Sequence, residues 1–158
     1  MKQSVSKQDL EQVAEKAAES PRRRLNLNMH EDDEDVNYYY NVVYKDAYMQ
    51  PHIHRNKHEY FHIDEGTMYL VEFDGEGNII NKVLMSAEKD LQYEAVRSYK
   101  VLKGTWHTIV IASERAIMFE VKSGPYDPSV KEMSTFAPAE DDEGAEEYLQ
   151  TLRKQLNI

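Results

Sequence analysis

Between Leu25 and Val121 apolar residues recur at every second position and short polar turns interrupt them, which constrains the fold more than any other feature of the chain. Period two marks strands with one buried face. The run "NYYYNVVY" (37–44) is rich in the aromatic and β-branched residues that suit a pleated surface. "MYLVEF" and "IINKVLM" flank "DGEGN", a strong hairpin signal, and "WHTIVIA" and "AIMFEVK" flank "SER", which reads as a second hairpin. Several short strands with regular turns predict an all-β sandwich or barrel. "GPYDP" (124–128) then breaks the strand pattern.

A helix is expected on each side of this core. Leu10, Val13, Ala14, Ala17 and Ala18 follow helical spacing, Ser6 with Asp9 makes a capping box, and Pro21 stops the run, giving a helix over 7–19 with a small apolar face for the outside of the domain. Tyr148, Leu149, Leu152 and Leu156 define a second helix over 145–156, with acids before it and Arg153 and Lys154 closing it. The reading is one domain over 1–158, with the β core at 25–122.

Composition narrows the chemistry. The 158 residues include no cysteine, so disulfides, thiolate metal sites and cysteine nucleophiles are excluded. The formal net charge of −10 argues against a nucleic-acid partner. The acid is concentrated in "EDDED" (31–35) and "EDDEGAEE" (140–147), which read as solvated segments without calcium-loop spacing. The N-terminal segment has no secretory apolar region and no run reaches membrane-span length, so a cytoplasmic protein without a membrane partner is expected.

Four of the six histidines fall within "PHIHRNKHEYFHIDEG" (51–66). His52 and His54, two apart, present their imidazoles on one face of a strand, convergent as a divalent metal requires. A short turn after "RNKH" brings Glu59 alongside as an oxygen ligand. His107 precedes an apolar strand and shares a face with Ile109 and Ile111, so its buried ring needs a partner that a metal can be. An HxH pair alone also fits a surface strand, and His107 alone fits a hydrogen-bonded core histidine. His58 and His62 have the opposite parity and are read as outward-facing.

The spacing His-x-His, four residues, Glu, six residues, Gly, here His52, His54, Glu59 and Gly66, resembles the first cupin motif, and "LKGTWH" resembles the second, with Gly104 and His107 in place. Leu102 stands where that motif has proline, and Ile111 where many cupins have asparagine. "SPRRRLNLNMH" (20–30), "GTWH", "FEVKSGPYDP" (119–128) and "FAPAE" (136–140) are similar, in order, to segments of the WbuC family of cupin-fold metalloproteins. The resemblance implies a cupin-type jelly roll and one divalent transition ion at His52, His54, Glu59 and His107. Nitrogen and oxygen ligands suit iron, manganese, nickel, zinc and copper. It also implies a homodimer and a role in bacterial surface-polysaccharide biosynthesis, without supplying a substrate.

"RRRLNLNMH" alternates, with Arg22, Arg24, Asn26, Asn28 and His30 on one face. That face suits a solvated edge strand, or a pocket wall on which Arg24 and Asn28 contact a carboxylate or phosphate. Three functions follow as expectations. The first is a metal-dependent isomerase, epimerase or oxygenase acting on a small carbohydrate derivative. The second is a non-catalytic metal-dependent sugar-binding or sensor module, since fold does not fix function. The third is an interaction protein of a polysaccharide-assembly system.

Overall fold

The computed structural model describes residues 2–91 and 94–158. Two five-stranded antiparallel sheets face each other. The first has β1 (Arg24–Asn28), β2 (Val36–Tyr44), β4 (Glu59–Glu65), β7 (Ser98–Val101) and β9 (Arg115–Ser123), in the spatial order β1-β2-β9-β4-β7. The second has β3 (His52–His54), β5 (Thr67–Phe73), β6 (Ile79–Ser86), β8 (Trp106–Ile111) and β10 (Lys131–Met133), in the order β10-β3-β8-β5-β6. Inward residues such as Ile63, Met68, Leu70, Met85, Ile111 and Met118 fill the space between them, each at most 1% exposed. The architecture is a jelly roll.

One expected hairpin is not formed. β8 pairs with β3 and β5, while β9 pairs with β2 and β4, so residues 112–114 carry the chain from one sheet to the other. The crossing is fastened to the start of β5. Ala112 N and Ser113 N both donate to Thr67 O (2.9 and 3.2 Å), and Thr67 N donates to Ser113 Oγ (2.9 Å). Ile111 and Met118 therefore meet across the core instead of side by side on one sheet. The chain also rejoins a sheet after "GPYDP", where β10 pairs with β3, an element too short to show a period.

The second sheet switch explains Gly66. β4 leaves its register between Ile63 and Glu65, and Gly66 then turns the chain into β5 at φ +78°. A Cβ there would lie 2.2 Å from Arg115 O and 2.5 Å from Ser113 Oγ. Gly104 has a similar φ, +80°, but open space around it. Gly66→Ala is accordingly expected to cost about 2–4 kcal/mol, from left-handed strain plus a backbone clash, and Gly104→Ala about 1 kcal/mol from strain alone. Urea unfolding of the two variants checks this, and equal losses would contradict the clash.

The helices cover opposite outer faces. α1 (Lys7–Glu19) starts at Ser6, whose hydroxyl accepts from Asp9 N while the Asp9 carboxylate accepts from Ser6 N. Its Ala14 and Ala17 pack on Val42 and Ile117, small side chains that let the helix lie close to the first sheet. Arg115 ties it down by donating to Glu11 and Glu65. α2 (Ala145–Leu156) seats Leu149, Leu152 and Leu156 on Val71, Phe73 and Val110 of the second sheet. Among the described residues no helix is long and apolar enough to cross a membrane.

The strands that build the site change polarity along their inward faces. In β2 these residues run Asn37, Tyr39, Asn41, Val43, and in β9 they run Ala116, Met118, Glu120, Lys122, by the pairing of Tyr39 with Glu120 and of Asn41 with Met118. One end of the barrel is thus an aliphatic core and the other a buried polar chamber.

Candidate metal centre

Three strands bring the sequence-predicted ligands together. His52 and His54 project from β3, and His52 lies opposite His107 of β8 in the sheet register. Glu59 enters from the first sheet at the start of β4. His52, His54 and Glu59 each offer a ligand atom, all within 4.8 Å of one another. His107 joins them through Glu59, with Nε2 2.8 Å from Oε2, and its ring centroid is 4.4 Å from that of His52. His54, Glu59 and His107 are 5%, 2% and 2% exposed, while His52 is half-buried.

Its hydrogen bonding is incomplete in an informative way. His107 Nδ1 is 3.0 Å from Thr105 O and His52 Nδ1 is 3.3 Å from Gln50 O. A carbonyl partner fixes Nδ1 as the donor and leaves the Nε2 lone pair pointing into the cluster. His54 Nε2 lies 3.2 Å from Glu59 Oε1. Yet among the described residues His54 Nδ1 and Nε2, His107 Nε2 and Glu59 Oε2 are buried without a partner in hydrogen-bond geometry. Imidazole and carboxylate lone pairs that approach each other without hydrogen-bond alignment fit a cation held among them, since leaving such groups unsatisfied in a protein interior costs about 1–3 kcal/mol each. This donor set fits a divalent transition ion.

A buried cation supports the cluster from behind. Lys122 donates to Glu59 Oε1 (3.2 Å) and to Glu120 Oε1 (3.0 Å). Glu120 also accepts from Asn41 Nδ2 (2.9 Å) and from the Tyr39 hydroxyl. Burial raises the Glu59 carboxyl, but the imidazoles of His107 and His54 and the charge of Lys122 outweigh it and hold Glu59 well below the usual range. Burial lowers the Lys122 ammonium, but Glu120 and Glu59 overcome this and raise it. Burial, then the neighbouring His107, hold His52 well below the usual histidine value.

These shifts give the metal-free protein an acid sensitivity. His52 stays neutral when folded and gains a proton when unfolded, so stability falls as pH drops below the ordinary value of 6.5. The Glu59 contribution is complete above its ordinary 4.5 and is lost as pH falls through its lowered value. The urea midpoint should therefore be flat above about pH 7, decline below 6.5 and fall faster below 4.5, with His52→Asn removing the first decline. A midpoint unchanged from pH 7 to 5 would contradict this.

The cluster floors a cavity of about 240 Å³, lined also by Arg24, Asn26, Tyr39, Asn41, Glu120 and Lys122. Arg24 therefore reaches the cavity wall, but its guanidinium is engaged, donating to Tyr48 O (2.7 Å) and Glu140 Oε1 (2.5 Å). Asn28 shares the inward parity of β1 yet is exposed and lies outside the residues lining the cavity. Arg22 and His30 lie outside β1, and His30 Nδ1 accepts from Tyr38 N (3.1 Å) instead of facing the cluster. His58 accepts from Lys103 N and His62 pairs with Ser98 on the outer surface. Glu120, Lys122 and the cavity-lining Lys131 were not singled out from sequence. The available signal was that Glu120 and Lys122 continue the inward parity of Ala116 and Met118.

Both motif departures have local explanations. Thr105 N donates to Leu102 O (3.2 Å), a turn whose positive φ is supplied by Gly104, so exposed Leu102 holds its first position without a ring. Ile111 packs in the core at 1% exposure.

Solved structures of low sequence identity share the jelly-roll fold. KdgF from Halomonas sp. superposes with a TM-score of 0.52 at 13% identity, over 70% of this chain and 86% of that one. The capsular polysaccharide assembling protein CapF of Staphylococcus aureus gives 0.53 at 13% identity, over 70% of this chain but only 32% of CapF. A Klebsiella pneumoniae protein with a double-stranded β-helix domain gives 0.53 at 11% identity, over 70% and 79%. No curated protein matches the sequence. A family model described as a domain of unknown function matches residues 5–85, which include His52, His54, Glu59 and Gly66 and end before His107. That match spans just over half of the 158 residues, and the chain belongs to the DUF6016 family.

Proposed function

We propose that the protein is a metal-dependent cupin in which His52, His54, Glu59 and His107 hold one divalent transition ion, iron, manganese, zinc or nickel, and present it to a small carbohydrate derivative. The observation that carries this reading is the set of buried, unpartnered imidazole and carboxylate atoms at the cavity floor. When bound, the ion supplies Lewis-acid or oxygen chemistry at that floor. The protein's own part is to orient and to exclude water. Thr105 O and Gln50 O set the tautomers of His107 and His52, and Lys122 fixes the Glu59 carboxylate. At about 240 Å³ the cavity is below the roughly 300–1,000 Å³ of drug-sized pockets, which limits the ligand to about the size of one sugar.

The WbuC-like segments, and the likeness to a capsule-assembly protein, support a role in bacterial surface-polysaccharide metabolism. We place the protein in the cytoplasm as a single-domain homodimer, without a nucleic-acid or membrane partner. A second reading, a non-catalytic sugar-binding or sensor module, is favoured by one feature. Glu120, the other carboxylate of the cavity, is already committed to Tyr39, Asn41 and Lys122 and is not free to act as a base. Metal-loaded protein screened against sugar acids, sugar phosphates and nucleotide sugars by NMR separates the readings. Conversion that stops on chelation supports the enzyme, binding without conversion supports the module, and neither would overturn the carbohydrate assignment.

A further inference from the structure

Among the described residues four cationic side chains line the cavity, Arg22, Arg24, Lys122 and Lys131. Three of them have carboxylate partners. Arg22 and Arg24 share Glu140 (3.1 and 2.5 Å), and Lys122 lies between Glu59 and Glu120. Lys131 has no ion pair or side-chain hydrogen bond with any described residue. The four cations face three carboxylates, so the chamber is net positive before any metal enters, in a chain of net charge −10. A cleft lined by an excess of one sign of charge concentrates ions of the other, even where, as at Lys131 and Arg22, the cations are exposed at its rim.

The backbone places Lys131 deliberately. In β10 it stands directly opposite His54 of β3, so its side chain leaves the sheet on the side of His54, toward the ligand cluster. It lies close enough to His52 for its charge to disfavour the imidazolium there. The short strand is anchored around it. Arg55 makes a two-pronged pair with Glu132 (2.9 and 3.1 Å), Ser134 N donates to Pro51 O (2.9 Å), and Gln50 Nε2 donates to Ser134 O (2.9 Å). Lys131 is exposed, and among the described residues Glu120, Glu59 and Glu140 act on its charge without forming an ion pair with it.

We propose that Lys131 is the anion anchor of the cavity, pairing with a carboxylate or phosphate on the ligand while the remainder of that ligand faces the His–Glu cluster. The ligand class is therefore an acidic monosaccharide derivative, a sugar acid or a sugar phosphate. Its orientation toward a metal rests on the function proposed above, but anion binding at Lys131 does not. The anchor is the unpaired lysine on β10, and Arg22 and Arg24 of the "RRR" run serve to brace Glu140 and the chain entering α2.

The test uses the full chain, with metal content measured in each sample. Wild type, Lys131→Met and Lys131→Arg are titrated by calorimetry with glucuronate, glucose 6-phosphate and glucose. A charged hydrogen-bonded contact predicts that at least one acidic sugar binds about tenfold or more tightly than glucose. Lys131→Met should abolish that preference, and Lys131→Arg should keep it within about threefold. Which acid binds identifies the group as carboxylate or phosphate. Equal affinity for all three sugars, no binding by wild type, or a preference that survives in a folded Lys131→Met protein would overturn the anchor. If the preference holds in a protein that takes up no metal, the proposed metal function fails while the anion site stands.

Discussion

Lys122→Met should lower the unfolding free energy of the metal-free protein by about 3–5 kcal/mol, the typical loss when one partner of a buried charge cluster is removed. Lys122 is the cation between Glu59 and Glu120, whose side chains are 3% and 8% exposed. Without it two carboxylates face the same low-dielectric space, and Glu120 keeps only its neutral donors Tyr39 and Asn41. The methionine preserves volume, so the loss reports charge and not a cavity. Adding Glu120→Gln should return part of it, because the uncompensated charge is then halved. A bound divalent ion would neutralise Glu59 as well, so the same variant should lose less when metal is present. Urea unfolding of the single and double variants, with and without metal, measures all four quantities. A loss below about 1 kcal/mol in the metal-free single variant would mean that water reaches the cluster and that the chamber is not dry.

The second large effect is stabilisation by the ion itself. A ligand that binds only the folded state adds RT ln(1 + [L]/Kd), about 2.7 kcal/mol at a hundred times Kd. For a chain of this size that corresponds to a rise in Tm of about 5–10 °C. The expectation is specific to the cluster. The gain should vanish in His54→Ala/His107→Ala, which removes one imidazole from each of two neighbouring strands, and should survive in His62→Ala, whose ring is on the outer surface paired with Ser98. Differential scanning with each of the four metals in turn checks this, and an equal shift in all three proteins would assign it to other surface sites.

Much of this was legible in the sequence for local reasons. α1 could be read because Ser6 and Asp9 complete a capping box in four residues, and α2 because Leu149, Leu152 and Leu156 repeat on one face. His52 and His54 could be paired because strand side chains alternate, and Glu59 because the polar stretch between them is short. What was hidden depends on pairing between distant strands. The "SER" segment has the length of a hairpin turn, and only its bonds to Thr67 send it across to the other sheet. Glu120 and Lys122 sit in a strand with apolar residues on both parities, since Ile117 packs under α1 while Met118 packs inside, so their inward direction is set by register with β2 and β4. Lys131 belongs to a three-residue strand that exists only by pairing with β3. Arg24 reached the expected wall, but its partner Glu140 lies 116 residues away.

The central claim is a metal held by the three-strand cluster, and elemental analysis tests it most directly. Untagged protein, expressed without added metal and purified anaerobically, is measured beside His54→Ala/His107→Ala. One transition ion per chain in the first and none in the second is the predicted result. No ion in the wild type, even after reconstitution with iron, manganese, zinc and nickel in turn, would contradict it and leave the histidines as direct contacts for an organic ligand.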